Sequence, residues 1–173
     1  IRDLTNLERL MYIEDHLISP GLTEKIDKSS FLIRNDEKAT IMINEEDHLR
    51  IQTLLPGLNL EEGWQLCTEI DDKLESKLNY AYHENLGYLT ACPTNVGTGM
   101  RASVMLHLPC LTMTKHINSL IESIRKIGLT VRGLYGEGTK SIGHLYQISN
   151  QTTLGETEEE IISIVNEGQE QGV

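Results

Sequence analysis

The stretch Gly87-Tyr88-Leu89-Thr90-Ala91-Cys92-Pro93-Thr94-Asn95-Val96-Gly97-Thr98-Gly99-Met100-Arg101-Ala102-Ser103-Val104-Met105-Leu106-His107-Leu108 holds two short strand-like runs, 87–92 and 102–108, joined by a Gly-rich link at 93–99. No helical periodicity separates them, so two strands follow one another directly. The same grouping recurs on either side. Runs at 31–34 and 39–44 meet across the polar turn Asn35-Asp36-Glu37, and the second sets Ala39, Ile41 and Ile43 against Thr40 and Met42 with a period of two. Two further runs lie at 129–134 and 144–149. Helical spacing marks the intervals. Leu4, Leu7, Leu10, Met11, His16 and Leu17 predict a helix over 4–18, with Thr5 or Asp3 as cap and Pro20-Gly21 ending it. Leu60, Trp64, Cys67, Ile70, Leu74 and Leu78 predict one over 60–78, and Leu111, Met113, Ile117, Leu120, Ile121 and Ile124 one over 111–127. A last helix over 156–167 starts with glutamates, where the helix dipole favours anions. Strands in adjacent groups, without strict strand–helix–strand alternation, predict an α+β fold: an antiparallel β-sheet flanked by helices.

The chain has 173 residues, 26 acidic against 15 basic, for a formal charge of −11, with 39% hydrophobic and 24% charged residues. That composition fits a globular chain with a core of one domain, or two small ones. The acid excess excludes whole-surface binding to nucleic acid or anionic membrane, since phosphate backbones require a basic face. It does not exclude a local basic pocket. Cys67, Cys92 and Cys110 are too few and too irregular for a disulfide framework or a zinc site, which points to a reducing cytoplasm. No apolar run approaches a membrane span, and no signal-peptide pattern opens the chain. Because Ile1 opens directly on a helical pattern, the chain reads as a fragment. No Gly-x-x-x-x-Gly-Lys-Ser/Thr loop is present, which removes Walker-type nucleotide binding.

Three of the seven arginines stand beside strand edges or Gly-rich turns: Arg50, Arg101 and Arg132. Guanidinium groups suit bidentate phosphate contacts, and several converging would hold a polyphosphate. Read singly, each segment has a plainer explanation. An arginine at a strand end is usually solvated or paired with a carboxylate. Glu45-Glu46-Asp47 is most simply an exposed acidic turn, Cys92 a small buried residue, and Gly97-Thr98-Gly99 weak evidence of anything.

Read together and in order, the segments say more. Asn44-Glu45-Glu46-Asp47-His48-Leu49-Arg50, then the run from Cys92 to Val104, then Arg132-Gly133-Leu134-Tyr135-Gly136-Glu137, and finally Tyr146-Gln147-Ile148-Ser149-Asn150, resemble the ATP:guanido phosphotransferase family, which includes arginine kinase and creatine kinase. The resemblance runs from Glu14-Asp15-His16 to about Glu159. Within the family the chain is most similar to the bacterial branch that phosphorylates arginine side chains in proteins. Met105 stands where creatine and arginine kinases usually carry histidine, and Gly143-His144-Leu145-Tyr146-Gln147-Ile148-Ser149-Asn150-Gln151 has the bacterial character.

The resemblance implies a glutamine synthetase-like guanido kinase catalytic domain over 1–173, partial, with an upstream Ser-Ser-Arg-type strand and a C-terminal dimer-forming region missing. It implies that Arg50, Arg101 and Arg132 bind the phosphates of ATP, with Ala102, Ser103, Val104, Met105, Gly133, Leu134, Tyr135, Gly136 and Glu137 lining the nucleotide and His16 beside it. Without the resemblance, His16 reads as a packing residue on a helix face. Mg²⁺ is expected on the phosphates, held by them and by water more than by protein ligands. Glu46, as general base, and Glu137 would clamp the acceptor guanidinium, with Cys92 as a positioning thiol that forms no phosphoenzyme. Glu45 and Asp47 are then structural, or partners of nearby cations. The implied partners are ATP and a protein presenting arginine, a repressor or stress-response protein, with no direct nucleic acid or membrane contact and a homo-oligomer in the longer protein. Two alternatives stay open: a kinase for a free guanidino compound, and a non-catalytic module binding nucleotide or phosphoarginine.

Overall fold

The structure, a computed structural model, describes residues 1–132 and 143–170. These fall into two compact units, Ile1–Tyr82 with Leu89–Pro93, and His83–Tyr88 with Thr94–Val173.

The first unit opens with α1 (Asn6–Glu14). Thr5 caps it reciprocally: its Oγ1 accepts from the Glu8 N–H, and the Glu8 carboxylate accepts from the Thr5 N–H. The helix is shorter than its apolar spacing predicts, because His16 takes a left-handed backbone (φ 58) directly after the cap. A separate 3-10 helix, Pro20–Lys25, follows, with Ser19 as its cap. The linker carries the burial that the periodicity assigns to the helix. Leu17, Ile18 and Leu22 are buried, whereas Leu7 is 76% exposed and Leu10 and Met11 also face solvent.

Strands β1 (Ser30–Ile33), β2 (Ala39–Ile43) and β3 (Leu49–Thr53) form an antiparallel sheet in that order. The sequence reading has no strand at 49–53, where only Leu49 and Ile51 alternate with polar residues. Within β2 the fully buried residues are Thr40 and Met42, the second packed with Ile18 and Leu22, while Ile41 and Ile43 are half-buried. Tyr12 and Phe31 meet edge-to-face beside them, ring centroids 5.4 Å apart. Helix α2 (Leu60–Glu75) docks on β3, where Thr53 Oγ1 donates to the Gly63 carbonyl at 3.0 Å.

The turn from β2 to β3 is closed by the Asn44 N–H on the His48 carbonyl at 3.0 Å. Asn44 holds φ 58, which asparagine tolerates better than most residues. Glu45 points inward, its side chain 11% exposed. Its carboxylate accepts from Ser19 Oγ at 2.6 Å and from the Glu46 N–H at 2.9 Å, and pairs with the Arg50 guanidinium at 3.5 Å. Burial alone would raise its pKa. The Ser19 hydroxyl, the Glu46 N–H and Arg50 outweigh that and hold it below its ordinary value of 4.5.

In the second unit, β6 (Ser103–His107), β7 (Leu129–Arg132) and β8 (Leu145–Asn150) form an antiparallel sheet in the order β6-β8-β7. A two-stranded ribbon, β4 (Tyr82–His83) and β5 (Gly87–Tyr88), lies where the chain passes from the first unit to the second. The helix predicted over 111–127 is two, α3 (Pro109–Met113) and α4 (Ile117–Lys126), broken where Lys115 turns to φ 61. Helix α5 (Glu158–Glu170) starts on a second reciprocal cap, between Thr157 and Glu160. Ile124 from α4, Ile161, Ile162 and Val165 from α5, and Val104, Leu129, Tyr146 and Ile148 from the sheet make the core. No helix among the described residues is long and apolar enough to cross a membrane.

At Gly97 the backbone holds φ 114 and exchanges hydrogen bonds with Tyr88, while a Cβ there would overlap the Thr153 carbonyl. Only glycine fits both conditions. Gly97→Ala is expected to destabilise the second unit by at least about 2 kcal/mol in urea denaturation, and a variant as stable as the parent would refute the close approach. For Glu45, whose pKa is depressed on folding, the stabilisation is complete above the unfolded value near 4.5 and fades as pH falls through the lower folded value. Glu45→Gln should therefore lower the unfolding midpoint at pH 7, with the gap to the parent narrowing below about pH 4. A gap independent of pH would contradict the assignment.

Candidate active site

The acidic turn presents its glutamates to different surroundings. Glu45 is turned inward on Ser19, and Glu46 is exposed at the apex. Asp47 reaches across 45 residues of sequence: its Oδ1 accepts the Cys92 N–H at 2.9 Å. Of the two roles expected for Asp47, structural or partner of a cation, this backbone bond is of the structural kind. For Glu45 the expected cation is there, and it is Arg50. Thr90 Oγ1 donates to the Cys92 carbonyl at 2.6 Å, so Cys92 is held on both sides of its Cα, half-buried, one residue along the chain from the Asp47 tie to Glu46.

Arg50 lies on β3 with its side chain 46% exposed. One guanidinium nitrogen points to Glu45, and the other donates to Gln52 Oε1 at 3.2 Å. Gln52 Nε2 in turn donates to the His16 carbonyl at 2.6 Å. His16 stands in the turn after α1 and not on a helix face, which removes its simplest packing role. Ser19, Glu45, Arg50, Gln52 and the His16 backbone therefore form one chain of polar contacts. Sequence does not announce the contacts of Ser19 with Glu45 and of Gln52 with the His16 backbone, since the partners are 26 and 36 residues apart.

In the second unit the segment after the Gly-rich link splits by side. Arg101 is exposed, Ser103 half-buried and Met105 40% exposed, while Ala102 and Val104 are buried. A ligand contact from Ala102 or Val104 would have to be made by backbone. Met105 pairs with Gln147 and Gln147 with Arg132, so these three share one face of the sheet. It is the face opposite Tyr146 and Ile148, which enter the core. Ser149 lies on the same face as Gln147, and its buried Oγ has no hydrogen-bond partner among the described residues. Gly133, Leu134, Tyr135, Gly136 and Glu137 lie outside the described residues.

Chemically, the first unit offers an exposed carboxylate suited to a cation, a thiol held nearby and a pre-oriented guanidinium. The second offers Arg101 and Arg132, whose planar donors suit phosphate oxygens. Among the described residues no group of three or more histidine, cysteine, aspartate or glutamate side chains could hold a metal ion.

The comparisons with known proteins bear on this arrangement. The chain is 58% identical over 160 residues to a protein-arginine kinase of Desulforamulus reducens, covering 92% of this chain and 45% of the relative. To that of Clostridium novyi it is 60% identical over 153 residues, covering 88% and 44%. The chain spans about half the length of the curated relatives it matches. Among solved structures, the taurocyamine kinase of Schistosoma mansoni with bound transition state analog components superposes with a TM-score of 0.88 at 30% identity, over 99% of this chain and 25% of that one. A lombricine kinase gives 0.76 at 27%, over 98% and 50%. The family model for the C-terminal catalytic domain of ATP:guanido phosphotransferases matches residues 1–171. With the acidic turn, the tethered cysteine and the arginine-bearing strands inside that span, the chain belongs to the ATP:guanido phosphotransferase family.

Proposed function

We propose that this chain carries catalytic residues of an ATP-dependent kinase whose acceptor is the guanidinium of arginine in proteins. The observation that carries the reading is a contrast in identity: 56–60% to proteins named protein-arginine kinase, against 27–30% to the taurocyamine and lombricine kinases.

Phosphoryl transfer asks a protein mainly for alignment and for neutralising charge on the phosphate oxygens. Arg50, Arg101 and Arg132 supply that without a proton changing hands. Residues 102–105 and His16 are assigned to the nucleotide with them, as are Gly133, Leu134, Tyr135, Gly136 and Glu137, which lie outside the described residues. Mg²⁺, held mainly by phosphates and water, adds counter-charge when bound. The acceptor nitrogen bonds to the γ-phosphorus as the bond to the β,γ-bridging oxygen breaks, which leaves ADP. Glu46 takes the proton that the nitrogen loses, and with Glu137 it holds the cationic acceptor. Cys92 orients the guanidinium and forms no covalent intermediate. What supports these roles is the exposure of Glu46, the tie of Cys92 to Asp47, and the pre-orientation of Arg50 by Glu45 and Gln52. The proposed setting is a bacterial cytoplasm and the proposed substrate a repressor or stress-response protein, with a homo-oligomer formed by the full-length chain.

The TM-score of 0.88 with a taurocyamine kinase favours a second reading, a free guanidino compound as acceptor. Excess free arginine competing with a protein substrate separates the two: label should stay on the protein under the first reading and move to the small molecule under the second. Glu46→Gln is expected to lower phosphoarginine formation by about 10²-fold or more, with Mg-ATP affinity changed less than about twofold in calorimetry. Turnover equal to the parent would remove Glu46 from the role of base.

A further inference from the structure

Arg101 is exposed, yet the backbone on either side of it is held by one buried side chain. The amide of Asn150, 2% exposed, takes the Ala102 N–H on its Oδ1 at 2.9 Å and donates from Nδ2 to the Met100 carbonyl at 3.0 Å. The second Nδ2 hydrogen goes to the Thr152 carbonyl at 2.7 Å. A donor meets the amide oxygen and two carbonyls meet the nitrogen, so only one amide orientation satisfies all three bonds. The Met100 C=O and the Ala102 N–H are the groups that flank Arg101. Bonded to one amide, they are fixed much as a neighbouring strand would fix them.

The anchor is itself rigid. Asn150 ends the central strand β8, paired with Leu129 on β7, and Ile148 and Ser149 before it are buried. Thr153 extends the hold: its single hydroxyl hydrogen is shared between the Val96 carbonyl at 2.7 Å and the Thr94 carbonyl at 3.1 Å, and its own carbonyl accepts the Thr98 N–H at 2.8 Å. The loop that delivers Arg101 is therefore tied at 94, 96, 98, 100 and 102 to two residues, Asn150 at the end of β8 and Thr153 just beyond it.

We infer that Asn150 is a positioning residue for Arg101, setting the direction from which its guanidinium meets a phosphate. This rests on the phosphate role proposed for Arg101. A long, mobile side chain loses aim when its Cα moves, and small misplacements of a binding group are costly in phosphoryl transfer.

A double-mutant cycle tests it, with Mg-ATP affinity by calorimetry and kcat and KM for each substrate. Asn150→Ala should weaken Mg-ATP binding roughly tenfold when Arg101 is present and less than about twofold in the Arg101→Ala background. KM for the arginine-bearing substrate should stay within about twofold, because the lost alignment is specific to the phosphate side. Equal losses in both backgrounds would overturn the inference, as would a loss in the arginine substrate's KM of the same size. If Arg101→Ala leaves Mg-ATP affinity unchanged, the phosphate assignment itself falls, and that result is distinct from additivity. Should Asn150→Ala fail to fold, Asn150→Asp serves in its place. It keeps the acceptor for Ala102 and replaces both donors, and the same non-additivity is expected.

Discussion

Polar groups taken out of water have to find partners, and here that requirement ties together segments far apart in sequence. Glu45 reaches Ser19 and Arg50, Gln52 reaches the His16 backbone, and Asn150 and Thr153 reach the loop from 94 to 102. These loops hold few large apolar side chains, so burial of apolar surface cannot fix them. Hydrophobic packing builds the platforms, with Met42 against Ile18 and Leu22 in one unit and Ile148 among the core residues of the other. Directional hydrogen bonds then set where the turns and links stand on those platforms.

The adjacent glutamates show how burial divides labour between identical side chains. Glu45 spends its carboxylate on Ser19, the turn and Arg50, and its charge is stabilised there. Glu46 keeps its carboxylate in solvent. A chain of net charge −11 can thus belong to a family that handles ATP. Of its arginines, Arg50 lies on β3, Arg132 ends β7, and Arg101 follows a link whose backbone is held.

Several elements were legible because their signals are local. Thr5, one of the two caps the sequence offered for the first helix, is the one used, and the pairing of β1 with β2 follows from two short runs around a polar turn. Other readings miss because the deciding contact is distant. The apolar face of α1 stays exposed while the linker after it is buried, since Met42 takes Ile18 and Leu22 as partners. The strand β3 has too few apolar residues to announce itself and exists because β2 pairs with it. The helix predicted over 111–127 breaks at Lys115, a residue with no propensity for a left-handed backbone that would mark the break in advance.

By itself the sequence determined the α+β class, the family and the residue types the chemistry needs, because these depend on composition, short-range periodicity and motifs read along the chain. Tertiary structure alone decided which glutamate of the acidic turn is exposed, that Cys92 is tied to that turn through Asp47, and that Arg101 is held from Asn150. Each of these rests on a hydrogen bond between groups 26 to 48 residues apart, or on the burial that goes with it. Such bonds leave no periodic trace in sequence, since their geometry exists only once the sheets have brought the partners within 3 Å.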